Sequence, residues 1–407
     1  MTHVILDETP APGGPGGPAG PGAPAGGQAP RVPSAAPGTW HLTWHGVRTV
    51  TRLELRQRVR STRWIVALVV WFVVVGAITL LVSGALGSLF GTSGGPEPAD
   101  RSQVGPLLFS VVVFLVLGLG LLVTPTLSST SVNGDRNAGT LATLQVTALS
   151  AAEIVVGKVL AAWLSSLAFL VTSTPFLLWA LAAGRTPVVS FFLVLALVAA
   201  LLACVCGIGI GFSSLTARAA GSTVLTFLTV AALTLLTPLL FVVTIPSISA
   251  NEQVRIWSYP SYADYDDDGS ACQWQTVEQS VIHSERTWWL LGINPFVIVA
   301  DGAGTGNGAA DDPYGVNNGV DPLGGIRDGV RELRAGPAAE VDYCQTWSSD
   351  GSASGSSSPV GPRDIDRSPV WPWGLGANIL LGLGGTALAV RRLRVPQRTL
   401  AKGTRVA

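Results

Sequence analysis

The chain has 407 residues, 48% hydrophobic and only 12% charged, about half the roughly 25% charge of a water-soluble domain, which excludes an ordinary soluble enzyme. Lys+Arg and Asp+Glu both total 25, so no general basic excess points to nucleic acid as a partner. Four cysteines in this length are too sparse for a small disulfide scaffold.

Residues 1–39 are rich in Pro, Gly and Ala, with too few large apolar side chains to offset chain entropy, and are expected to form a disordered cytoplasmic tail. Glycine does not recur at every third position, which removes the collagen reading. No short apolar core follows a basic start, so the first apolar block is expected to serve as its own insertion signal.

Residues 40–63 place Arg48, Arg52, Arg56 and Arg60 at four-residue spacing, one face of a helix, with Trp40, Trp44, Val47 and Val50 on another. The pattern predicts an amphipathic helix on the inner membrane surface, its arginines near anionic lipid headgroups. A positive-inside stop signal accounts for the same arginines.

Six blocks follow, near Trp64–Phe90, Val104–Pro125, Ile154–Ala183, Val188–Ser214, Ser222–Pro246 and Trp371–Val390. Each meets the ~20 apolar residues that a helix needs to cross a bilayer core. Lys158 is their one ionisable residue, and backbone in lipid must close its own hydrogen bonds, so helices are expected. The fold class is therefore an all-α integral membrane protein with six transmembrane helices and a large extracytoplasmic domain between helices 5 and 6. Spans 1–5 occupy 64–246 with a cytoplasmic loop at 127–153. The outer domain and its linker take 247–368, the sixth span 369–390, and a basic cytoplasmic tail 391–407. Sixteen of the 25 basic residues fall on one side of this arrangement and twenty of the 25 acidic residues on the other. The positive-inside rule then puts both termini in the cytoplasm of a cell-membrane protein.

The hydroxyls of Thr223, Thr226, Thr234 and Thr237 share a face of the fifth block, where interhelical hydrogen bonding competes with a substrate path. Ala203, Gly207 and Gly211 repeat at four residues, as close helix packing requires. Cys204 and Cys206 lie inside the fourth block, as small apolar groups do. Cys272 and Cys344 fall in the outer domain, where a disulfide can form; two free thiols are the alternative. Asp264, Asp266 and Asp268 sit at positions 1, 3 and 5 of a calcium-type loop with Gly269 at 6, but Gln275 at 12 cannot supply the bidentate carboxylate. Calcium there competes with a solvated acidic turn.

The most informative stretch is NGDRNAGTLATLQVTALSAAEIVVGKVLAAW. Ser150 and Glu153 form an S-x-x-E capping box, which predicts a helix start. The whole string resembles the permease subunits of ABC-2 type transporters, in which E-R-x-x-G-T-L-E…L-L-x-T-P-L-S…E-I…G-K joins the second and third spans. The matching residues are Arg136, Gly139, Thr140, Leu141, Leu144, Thr147, Leu149, Ser150, Glu153, Ile154, Gly157 and Lys158; Asp135 stands for the usual Glu, Ala142 for an acid and Ala148 for Pro. The resemblance implies that this loop, Asp135 included, docks on a separate cytoplasmic ATPase, that two permease chains assemble as a homodimer or heterodimer, and that export is the direction. No G-x-x-x-x-G-K-[ST] occurs, so the chain is expected to bind no cofactor, to be no enzyme, and to leave ATP to its partner. The rival reading is a membrane-anchored sensor or assembly factor whose outer domain binds a ligand.

Overall fold

A computed structural model describes residues 39–91, 99–137, 139, 149–183, 186–258, 273–303, 321–337, 340–342, 358–359 and 368–393. Thr140, Leu141, Leu144, the three calcium-loop aspartates (Asp264, Asp266, Asp268), Cys272, Cys344 and most of both terminal tails lie outside the described residues.

Six described helices are long and apolar enough to cross a membrane: Thr62–Ser88, Gly105–Asn137, Ala151–Ala182, Val188–Leu215, Ala219–Ile248 and Trp371–Arg392. They agree in number and order with the six apolar blocks of the sequence, and the protein is an α-helical multi-pass membrane protein. A surface helix, α1 (Trp44–Val59), precedes α2 (Thr62–Gly91), and α3 (Ala99–Ser128) follows. After one turn comes α4 (Ser131–Asn137), then α5 (Ala151–Ala182), α6 (Val188–Leu215) and α7 (Ala219–Ala231).

The second span runs a little past the Pro125 boundary expected from the sequence: helix continues to Ser128 and resumes as α4 within the connection placed at 127–153. Pro125 removes one backbone donor without ending the helix, as membrane helices tolerate when neighbours satisfy the freed groups. In α4, Val132 and Asn133 are fully buried.

Spans two to four form the centre, each at least half buried, whereas the first and fifth are 22% buried and present most of their surface outward. Phe109, Val112 and Leu117 of α3 pack with Phe169 and Leu177 of α5 and Val194 and Leu201 of α6. The glycine repeat of the fourth span does what close packing requires. A Cβ on Gly207 would lie 2.4 Å from the Gly382 carbonyl oxygen, and one on Gly211 2.7 Å from Gly385 Cα. That approach seats the last span, α12 (Trp371–Arg392), directly on α6. Cys204 and Cys206 are buried free thiols in α6.

The fifth span carries a π-helical turn, Ala232–Leu236, between α7 and α8 (Thr237–Ile248). Pro238 has no N–H to give the Thr234 carbonyl. Asn294 supplies it: Nδ2 donates to Thr234 O at 2.9 Å and to Thr237 Oγ1 at 3.2 Å. Along the threonine stripe, Thr226 and Thr234 donate to carbonyls of their own helix, while Thr223 Oγ1 meets Ser129 Oγ at 2.9 Å.

Between the fifth and sixth spans the chain divides into two parts. Strands β1 (Ser249–Ser258) and β2 (Gln273–Ile282) pair antiparallel; β3 (Glu340–Asp342) runs parallel to β1 and pairs antiparallel with β4 (Ser358–Pro359), in the order β2-β1-β3-β4. This sheet is largely exposed. The short helices α9 (Trp289–Gly292), α10 (Pro295–Gly302) and α11 (Pro322–Ala335) instead send Ile298, Val299, Ala300 and Leu323 into the helical core. The segment is thus not one body standing apart from the spans. Asp301 fixes the arrangement: its side chain is fully buried, Oδ2 accepts the N–H groups of Val370 (2.6 Å) and Trp371 (2.7 Å) at the start of α12, and Oδ1 accepts Arg331 Nε (2.7 Å) from α11.

Removing one partner of a buried ion pair is costly, so Asp301→Ala is expected to lower stability by about 3 kcal/mol. Arg331→Ala is expected to cost less, because Asp301 keeps its two backbone donors. Thermal unfolding of both variants in detergent checks the ranking; equal losses would contradict it.

Candidate coupling site

The site is assembled from residues flanking the first, second and third spans. Ser150 caps α5: its Oγ accepts the Glu153 N–H (3.1 Å), and Glu153 Oε2 accepts the Ser150 N–H (2.8 Å). This is the reciprocal box read from the sequence, which satisfies two donors that a helix start leaves open. The second carboxylate oxygen reaches a different helix. Glu153 Oε1 accepts the N–H (2.8 Å) and the hydroxyl of Thr43, the residue that caps α1. One carboxylate thus holds the starts of two helices. Ser150 Oγ donates to His41 O, and the Ala152 N–H donates to Thr39 O at 3.2 Å, so residues 39–43 lie across the beginning of α5.

Two glycines let α1 and α5 interlock. A Cβ on Gly46 would meet Glu153 Cδ at 2.6 Å, and one on Gly157 would meet Val50 Cβ at 2.7 Å. Thr51 Oγ1 then donates to the Gly157 carbonyl at 3.1 Å. Val47 and Val50 are buried, whereas Trp40 and Trp44 are exposed and Arg48, Arg52, Arg56 and Arg60 line the outer face. The arginine face matches the sequence expectation. On the other side Val47 and Val50 pack on α5, while Trp40 and Trp44 stay at the surface.

Lys158 lies about 10 Å along α5 from its first residue. Its side chain is 1% exposed. The ammonium ion-pairs with Glu54 of α1 and, at 2.5 Å, with Asp135 Oδ2 of α4, and Nζ donates to Ser131 O at 3.3 Å. A lysine buried in an apolar bundle must be paired or pay heavily in desolvation, and here two carboxylates face one ammonium. Three helices therefore meet on one charge.

The rest of α4 is held by the end of α6, the turn after it and the first turn of α7. Ser213 Oγ accepts the N–H groups of Val132 (3.1 Å) and Asn133 (3.2 Å), closing donors at the start of α4. Asn133 Nδ2 donates to Thr216 Oγ1 (3.1 Å) and Ser222 Oγ (3.2 Å), and Arg136 Nη1 reaches Thr216 O at 3.5 Å. Gly139 follows with φ +71° and open space about it, a conformation that favours glycine.

Of the residues singled out in the sequence, Asp135, Ser150, Glu153, Gly157 and Lys158 are brought together, Arg136 stands beside them, and Gly139 ends the described part of the connection. Thr43, Gly46, Glu54 and Asn133 complete the site without having been anticipated. The signal for Glu54 was Lys158 itself, a lone ionisable residue among apolar spans that demanded a counter-charge. Among the described residues no cluster of three His, Cys, Asp or Glu side chains suits a metal. Against known proteins, the chain matches no family model and no curated sequence.

Rigid coupling of α1, α4 and α5 is what this geometry can supply. Lys158→Met should destabilise the chain by about 3 kcal/mol, since it removes the buried ammonium that Glu54 and Asp135 share. Adding Glu54→Gln should recover part of that loss, because fewer buried charges then lack a partner. A double-mutant cycle on thermal unfolding measures this, and strictly additive losses would dissolve the proposed pairing. Gly157→Val should separate α1 from α5, since its side chain would overlap Val50 and the Val47 carbonyl oxygen; accelerated proteolysis between residues 44 and 61 is the expected readout.

Proposed function

We propose that this chain is the permease subunit of an ABC-2 type transporter, driven by a separate cytoplasmic ATPase that docks on the connection between α4 and α5. In this reading the Lys158 end of the bundle faces the cytoplasm of a cell-membrane protein, both termini lie on that side, two permease chains pair, and cargo moves outward. The chain supplies the path and no catalytic step. The observation that carries the reading is the buried Lys158 junction: the segment that resembles the family's coupling loop is bolted at both its ends to the surface helix and to the span bundle. A push on Gly139 would be felt by α4, by α1 through Glu54, and by the α6–α7 turn through Asn133. The near absence of ionisable groups along the spans also favours energy from outside the bilayer, because an ion-driven carrier needs such groups at depth.

Arg136→Glu combined with Gly139→Pro tests this. Proline fixes φ near −65° and cannot adopt the +71° seen at Gly139. The variant should insert normally and lose stoichiometric copurification of its ATPase by tenfold or more. An unmodified chain that copurifies no ATPase, or a variant that keeps it along with substrate-stimulated hydrolysis, would overturn the proposal and favour the membrane-anchored sensor.

A further inference from the structure

A cleft of about 840 Å³ opens between α1, α2, α3 and α5 at the end of the bundle that holds Lys158. Its mouth is polar, with Gln57, Arg58, Arg63 and Thr130; its wall is apolar, with Trp71, Val74, Leu122 and Phe169. The wall is not sealed within the protein. Val70, Val74 and Leu122 are each 39–55% exposed on the outward side of spans one and two, so an occupant can enter sideways from the bilayer.

Arg58 is the unusual group here. Its Nη2 donates to the Leu127 carbonyl at 3.0 Å, where α3 ends, but its Nη1 is buried with no hydrogen-bond partner among the described residues. Among the described residues Glu54 is the one carboxylate lining the cleft, and its Oε1 is on Lys158. Burial pushes the pKa of the Arg58 guanidinium down, with Glu54 offsetting part of the effect. A buried guanidinium N–H without an acceptor costs free energy that a phosphate oxygen would recover, since guanidinium and phosphate match in charge and in fork geometry.

We propose that this cleft binds one anionic phospholipid, its phosphate held by Arg58 and Arg63 and an acyl chain laid along Trp71, Val74, Leu122 and Phe169. The apolar wall selects an amphiphile over a free anion, and the two guanidinium groups select a net negative headgroup over a zwitterion. Whether that lipid is cargo or a resident, the binding step is the same and needs neither an ATPase nor transport, so the site stands or falls independently of the transporter reading.

The test is lipid retention by the full chain in neutral-detergent micelles containing equal phosphatidylglycerol and phosphatidylcholine, read by native mass spectrometry. The unmodified chain should retain phosphatidylglycerol over phosphatidylcholine by roughly tenfold, the scale of one charge-assisted contact. Arg58→Gln with Arg63→Gln should bring that ratio close to one, while Arg58→Lys, which keeps the charge but loses the fork, should hold an intermediate ratio, and an unchanged thermal unfolding temperature for each variant shows that the fold survives. Val74→Trp, which fills the cleft, should reduce retention of both lipids. Arg391→Gln with Arg392→Gln, basic residues at the same end but off the cleft, should leave the ratio unchanged. A ratio near one in the unmodified chain, a ratio that falls equally with Arg391 and Arg392, or displacement of the lipid by millimolar inorganic phosphate would overturn the proposal.

Discussion

The pairing of Lys158 with Glu54 and Asp135 is the constraint from which the basic end of the molecule is built. Burial of an ammonium among apolar helices is tolerated only when carboxylates come to it, and those carboxylates sit on two other helices. Satisfying one side chain therefore fixes where α1 and α4 lie relative to α5. Glu153 adds a second tie of the same kind, accepting hydrogen bonds from the caps of two helices at once. With Gly46 and Gly157 removing the bulk between them, α1 becomes part of the bundle and not a helix merely adsorbed on a bilayer.

The opposite end follows the same rule with different groups. Where Pro238 breaks the fifth span, Asn294 supplies the missing donor; where the last span begins, Asp301 accepts its open N–H groups. In an apolar surrounding each interruption of a helix needs such a partner, and α9–α11 fold back into the core to deliver them. The sheet lacks that obligation and stands largely exposed. The two ends are joined by spans whose hydroxyls donate mostly to backbone carbonyl oxygens of their own helices.

Much of this was legible in the sequence because it depends on local pattern. Six apolar blocks gave six helices, the S-x-x-E string gave the capping box, and the four-residue glycine repeat gave the α6–α12 seam. Contacts between distant residues were not legible. Nothing in spacing links Glu54 to Lys158, or Asp301 to Trp371, since each pair is defined only once the helices pack. That Val47 and Val50 turn to α5 was not legible either, because the apolar side of α1 had two candidate partners, lipid and α5, and only packing chose between them.

Amide hydrogen exchange along α1 in the full-length protein tests the central claim most directly. If α1 is clamped by Glu54–Lys158 and Thr43–Glu153, amides between Val47 and Gln57 should be protected to a degree comparable with the first turns of α5. Exchange there as fast as in an exposed, frayed helix, while α5 remains protected, would contradict the account.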